Sequence, residues 1–154
     1  MVSIAIVAIL ATIGLVVYSG ASTSARDAKR KGDIDAIAKA LESQKAPGGY
    51  VYTSFISNSN FAGAGGIPSD PKGGWAPYCI QVDTTVPPAN PSTLTNPAAV
   101  NWNSSSTGCP AVNNYANISG YTWPASVTEW RVCALLENGT SSTAGNFYCQ
   151  SNSQ

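Results

Sequence analysis

Apolar residues fill nearly every position from Met1 to Tyr18, interrupted only by Ser3, Thr12 and Gly14. A helix that is hydrophobic all round must be enclosed by lipid or by other helices. Its length suits a bilayer core about 30 Å thick at about 1.5 Å per residue. From Ala21 the pattern changes without a helix breaker. Apolar residues recur at Ala21, Ala25 and Ala28, then at Ile34, Ile37, Ala38 and Leu41, the last four at the i, i+3, i+4, i+7 spacing of an amphipathic helix. Acid precedes base at i, i+4 in Asp27–Lys31 and Asp35–Lys39, the better orientation, and the order is reversed in Lys29–Asp33. The run Ala46–Gly49, "APGG", closes the helix. One helix over about residues 1–45, about 70 Å long, is therefore predicted.

The remainder alternates only in short stretches. Tyr50–Ile56 does so weakly, whereas Tyr78–Asp83 and Glu129–Glu137 read as strands, with Trp130, Val132, Ala134 and Leu136 on one face. Asn146–Gln150 is a third strand, joined to the second through "NGTSSTAG" as an antiparallel hairpin. Between Thr84 and Ser126 lies a Pro-, Asn- and Ser-rich excursion without a period. The apolar stripe of the helix has an obvious partner in one face of this sheet. The expected fold class is α+β: a long N-terminal helix on a small antiparallel sheet with long loops. Three regions follow: residues 1–20 as a transmembrane or core helix, 21–46 as an amphipathic helix on the head, and 47–154 as the head.

Charge sharpens this division. Only 10% of residues are charged, against about 25% in typical domains, and the formal net charge is zero. Ten of the sixteen charges lie between Arg26 and Lys45, leaving Asp70, Lys72, Asp83, Glu129, Arg131 and Glu137 for the body. No surplus of cations exists to neutralise phosphates, so a nucleic-acid site is not expected. Four cysteines, Cys79, Cys109, Cys133 and Cys149, occur without a C-x-x-C pair and without any His, which argues against zinc and for two disulfides in an oxidising compartment. The hairpin favours Cys133–Cys149 with Cys79–Cys109, and Cys79–Cys133 stands as the competing pairing. Candidate glycosylation sites at Asn103, Asn117 and Asn138 point to the same compartment.

The chemistry expected is slight. Without His, and without nucleophile-elbow, phosphate-loop or dinucleotide patterns, the common catalytic kits are missing, so no catalytic residue, metal ligand or cofactor is assigned. Asp70, within "GGIPSDPKGG", reads as a turn residue bonding its own backbone, in preference to sharing a calcium ion with Asp83. The four Trp and seven Tyr read as core and hairpin packing, in preference to a sugar-binding surface.

The run "MVSIAIVAILATIGLVVYSGASTSARDAKRKGDIDAIAKALE" resembles the N-terminal helix of type IV pilins and the pseudopilins of type II secretion, and "IPSDPKGGWAPYCIQ" resembles the segment before their first strand. The resemblance extends more weakly over 129–150 and is absent between about 84 and 126. It implies a pilin fold and a major pilin that polymerises with copies of itself into an extracellular type IV pilus-like filament, for adhesion, motility or DNA uptake. The alternative it implies is a pseudopilin forming a short periplasmic piston. Before assembly the subunit would sit in the cytoplasmic membrane, handled by a prepilin peptidase and inner-membrane assembly machinery. Core packing would fall to Ile4, Ala5, Ala8, Ala11, Thr12, Gly14 and Val17, whose small members let helices approach closely. The helix is expected to loosen between Gly14 and Gly20 in the filament. Family members carry a glutamate a few residues into the mature chain. A gapless alignment places Met1 beyond that point, and the alternative start at Met1 puts Ala5 where the glutamate belongs. Arg26, Lys29, Arg30 and Lys31 would by themselves hold the following residues inside the cell. A basic leader ahead of the helix would reverse this, and the head is expected outside.

Overall fold

The computed structural model describes residues 2–49, 51–61, 65–73, 76–84, 94, 109–110, 114–137 and 147–152, with backbone alone at 2–4, 13–17 and 19. Helix α1 runs unbroken over Val2–Glu42, about 60 Å at 1.5 Å per residue. It stops three residues short of the predicted end. Gln44 and Lys45 donate their N–H groups to the carbonyls of Leu41 and Glu42, tightening the last turn. Ala46 precedes Pro47, which disfavours helical backbone there, and Gly48 takes φ +69°. Continuity through residues 14–20 describes the single chain. The loosening expected there concerns the assembled filament.

Strands β1 (Cys79–Asp83), β2 (Ala116–Asn117), β3 (Glu129–Leu135) and β4 (Phe147–Ser151) form one antiparallel sheet in the order β2-β1-β3-β4. The fold class is α+β, as expected. β3 is central, paired with β1 from Cys79↔Cys133 to Asp83↔Glu129 and with β4 from Arg131↔Ser151 to Leu135↔Phe147. It ends one residue before Leu136, so only Trp130, Val132 and Ala134 of the predicted face lie in the core. β2, inside the stretch read as featureless, is two residues long and pairs with the open edge of β1. Tyr50–Ile56 yields no strand among its described residues. Tyr52 makes isolated bridges to Lys45 and to Val127, and the chain then moves away.

The period of two divides the sheet into two layers. Tyr78, Ile80, Trp130, Val132 and Ala134 face Ile34, Ile37 and Leu41 of α1, each of these helix residues fully buried. The opposite face carries Cys79, Cys133, Leu135, Phe147 and Cys149 with Ala76 and Tyr115. Both disulfides lie there, Cys79–Cys109 and Cys133–Cys149. β3 brings Cys133 opposite both Cys79 and Cys149. Bonding to Cys149 leaves Cys79 to hold Cys109 of the long excursion, which removes the competing Cys79–Cys133 bond.

Two expectations for the helix are corrected. Ala21, Ala25 and Ala28 face solvent, and the buried positions in that stretch are Asp27 and Arg30. The acids expected to pair with lysines at i, i+4 take other partners: Asp27 accepts from Arg30 at i+3 on the same helix and from the Glu137 N–H of the head, Asp33 from the Tyr78 hydroxyl, and Asp35 from Tyr148 and Gln150. Lys31 lies 6.0 Å from the Tyr148 ring centre. Among the described residues no helix is long and apolar enough to cross a membrane, so the transmembrane expectation for residues 1–20 gains no support from the fold.

Candidate functional site

The spacing of the buried helix positions carries the site. Asp27, Arg30, Ile34, Ile37 and Leu41 follow one another at intervals of three and four, so all five lie on one stripe. Its C-terminal members are aliphatic and enter the core. Its N-terminal members are an acid and a base, at the level where α1 leaves the head.

Arg30 is fully buried. Its Nε and NH2 donate to the two oxygens of Asp70 at 2.6 and 3.0 Å, and NH1 donates to Asp27 Oδ1 at 2.7 Å. NH2 also lies 2.7 Å from Glu137 Oε1. Arg26, one turn earlier, clasps both oxygens of Glu137 at 2.7 and 2.8 Å and takes Ser22 Oγ at 2.7 Å. Lys72 Nζ stands 3.2 Å from the other oxygen of Glu137. Three cations and three carboxylates thus balance. They tie together the helix, the Pro/Gly turn around Asp70 and the end of β3.

Backbone bonds complete the junction. The Glu137 N–H donates to Asp27 at 2.8 Å, and the Lys72 N–H donates to Asp70 Oδ1 at 2.8 Å, which is the turn reading of Asp70. Both Asp70 oxygens accept from Arg30, so the calcium alternative with Asp83 is not supported. No group of acids and thiols able to hold a metal occurs among the described residues.

Electrostatics follow from this packing. Hydrogen bonds from Arg26, opposed by burial and aided by Arg30 and Lys72, hold the Glu137 carboxyl down at about 2. Burial works against the Arg30 charge, and the three carboxylates outweigh it, so its pKa is raised. Burial, with Glu42 accepting from its hydroxyl, pushes Tyr52 up to about 12, and burial with Asp33 raises Tyr78. Because the folded pKa of Glu137 is depressed, its contribution is complete above pH about 4.5 and is lost as pH falls toward 2. After solvent screening that contribution is on the order of 1–2 kcal/mol. Denaturant midpoints measured across this window fall with acidification, and Glu137→Gln flattens the fall.

Toward its N-terminus, from residue 5 to residue 12 and at 18 and 20, the described side chains of the helix are exposed. Ala5, Ala8, Ala11 and Thr12 are exposed, and the Thr12 hydroxyl donates to the Ile9 carbonyl at 2.8 Å. Ile6, Val7, Ile9 and Leu10 are 53–65% exposed and Tyr18 75%. The side chains of Ile4 and Val17 lie outside the described residues. Gly14 and Gly20 are helical, and a Cβ at Gly20 would meet nothing within 4 Å among the described residues. Asn117 is exposed on β2 with its Oδ1 accepting the Ser119 N–H at 2.8 Å, while Asn103 and Asn138 lie outside the described residues. The junction itself escaped prediction: continuing the Ile34–Leu41 stripe backward reaches Arg30 and Asp27, but their charge gives no sign of burial.

No protein-family model, no characterised protein and no solved structure matches this chain.

Proposed function

We propose that this chain is a structural subunit of the type IV pilin kind, which polymerises into an extracellular pilus-like filament. The observation that carries the reading is the division of α1. Its C-terminal half is locked to the head, and its N-terminal half presents large apolar side chains to solvent. Burying Ile6, Val7, Ile9 and Leu10 against other helices or lipid is worth on the order of 5–10 kcal/mol. That is comparable to the whole stability of a small domain, so a solvated arm is not its resting state. The exposed small residues Ala5, Ala8 and Ala11 suit close approach of neighbouring helices. Two disulfides suit a head outside the cell, where adhesion, motility or DNA uptake would act through the fibre.

Cryo-electron microscopy of fibres sheared from producing cells tests the proposal. A fibre built of this chain with residues 2–20 in its core is the expected result. Leu10→Glu abolishes fibres while the head unfolds at the wild-type midpoint. Fibres that persist with a charge at position 10 would sink the reading. A pseudopilin would give no long surface fibres, and a single-pass membrane protein with a binding head would stay monomeric in detergent.

A further inference from the structure

On the side of the head away from the cysteine face, the Pro/Gly turn that carries Asp70 also forms one wall of a cleft of about 530 Å³, within the range of small-molecule sites. We propose that this cleft binds a neutral saccharide, one pyranose ring lying against Phe55 and Tyr121 while Asn58, Ser69 and Ser119 pair its hydroxyls. Ile56 and Ile118, both 3% exposed, form the floor. No charged side chain lines the cleft among the described residues. A charged ligand would therefore lose its hydration without compensation. A sugar has what the cleft lacks and needs: an apolar C–H face for the rings and hydroxyls for the polar rim.

The walls are held before any ligand arrives. Phe55 stacks on Trp123 at 5.2 Å and 26°, and Tyr121 stands edge-on to both rings at 5.6 and 6.3 Å. Trp123 is itself fixed, its Nε1–H donating to the Tyr52 carbonyl at 3.1 Å. Asn58 Oδ1 accepts the Ile67 N–H at 3.1 Å, which orients the amide. Gly66 makes that possible, since at φ +127° a Cβ would come within 2.9 Å of the same oxygen. Asn58 Nδ2, the Tyr121 hydroxyl and the Ser69 and Ser119 hydroxyls have no protein partner among the described residues. An apolar occupant would leave these groups dry and unpaired.

The test uses the full chain in a zwitterionic detergent without a sugar head group, so the result does not depend on filament formation. Maltose, lactose, cellobiose and N,N′-diacetylchitobiose are titrated by calorimetry and by saturation-transfer NMR, with sorbitol as the open-chain control. At least one disaccharide binds saturably at millimolar concentration and sorbitol does not. Tyr121→Ala weakens that binding by about tenfold or more, and Gly66→Ala weakens it by displacing Asn58. If either variant melts below the wild type, Asn58→Ala and Ser119→Val carry the comparison. Silence from all four disaccharides overturns the proposal, as does binding unchanged in every folded variant. So does displacement of the sugar-free cleft signals by the peptide VPPANP, copied from residues 86–91, which would make the cleft a proline-rich peptide site.

Discussion

Arg30→Met lowers the unfolding free energy by about 3–5 kcal/mol, the loss expected when one partner of a buried ion cluster is removed. The size follows from what remains. Asp27 and Asp70 keep their burial and lose the guanidinium that faces both, whereas Glu137 retains Arg26 and Lys72. Against a total of about 5–15 kcal/mol for a domain, this is enough to loosen the helix from the head in a large fraction of molecules. Arg30→Lys does not restore the wild type. An ammonium is one point charge and cannot fork to both oxygens of Asp70 while reaching Asp27 and Glu137.

The pH response separates lost charge pairing from lost packing. In the wild type, acidification from pH about 4.5 removes stability through Glu137. In Arg30→Met the two aspartates keep their burial without the guanidinium that faced both, a cost that exists only while they are charged, so the variant's deficit narrows as pH falls. Denaturant midpoints of wild type, Arg30→Met and Arg30→Lys through this range provide the check. A loss below about 1 kcal/mol, or a deficit independent of pH, would show that the cluster only fills space.

Why this junction escaped the sequence, while the adjoining aliphatic stripe did not, is a matter of what periodicity can register. Ile34, Ile37 and Leu41 announce burial by their chemistry. Arg30 at the next place on that stripe announces solvent, unless three acids are known to converge on it. Two of those acids are remote: Asp70 is 40 positions away, and Glu137 is 111 positions from Arg26. The same reasoning explains the alanines at 21, 25 and 28. They are apolar enough to count toward a stripe and too small to prove one. β1 and β3 were legible because alternation survives in each, and β4 because a hairpin connection leads into it from β3. β2 was not, because two residues form no pattern, and its existence depends on the open edge of β1. The aromatic residues divided. Trp130 and Tyr52 lie inside the core as expected, while Phe55, Tyr121 and Trp123 pack on its outside half-exposed, Phe55 and Tyr121 also lining a cleft.

Cutting the Cys79–Cys109 bond, by Cys79→Ser with Cys109→Ser, costs about 3–4 kcal/mol and lowers the melting temperature more than Cys133→Ser with Cys149→Ser. The bonds span 30 and 16 positions, and loop-closure entropy alone assigns them about 3.5 and about 3 kcal/mol. The difference in context widens this gap. β3 and β4 are joined by a five-residue ladder from Arg131↔Ser151 to Leu135↔Phe147, which holds Cys133 beside Cys149 with or without the bond. A local hairpin also persists in part in the unfolded chain, which reduces what its bond can contribute. Cys109 has no such ladder. Elsewhere in the excursion Leu94 and Pro110 are buried, and the Ile118 N–H donates to the Tyr78 carbonyl at 3.0 Å where the chain leaves β2. Losing the bond therefore also loosens β2 and Tyr115 from Ala76 and Cys133. Thermal melts of both double-serine variants, with non-reducing peptide mapping of the wild type, decide the matter. A larger loss from the Cys133–Cys149 pair, or a mapped Cys79–Cys133 peptide, would mean that the excursion is held to the sheet by packing and not by its disulfide.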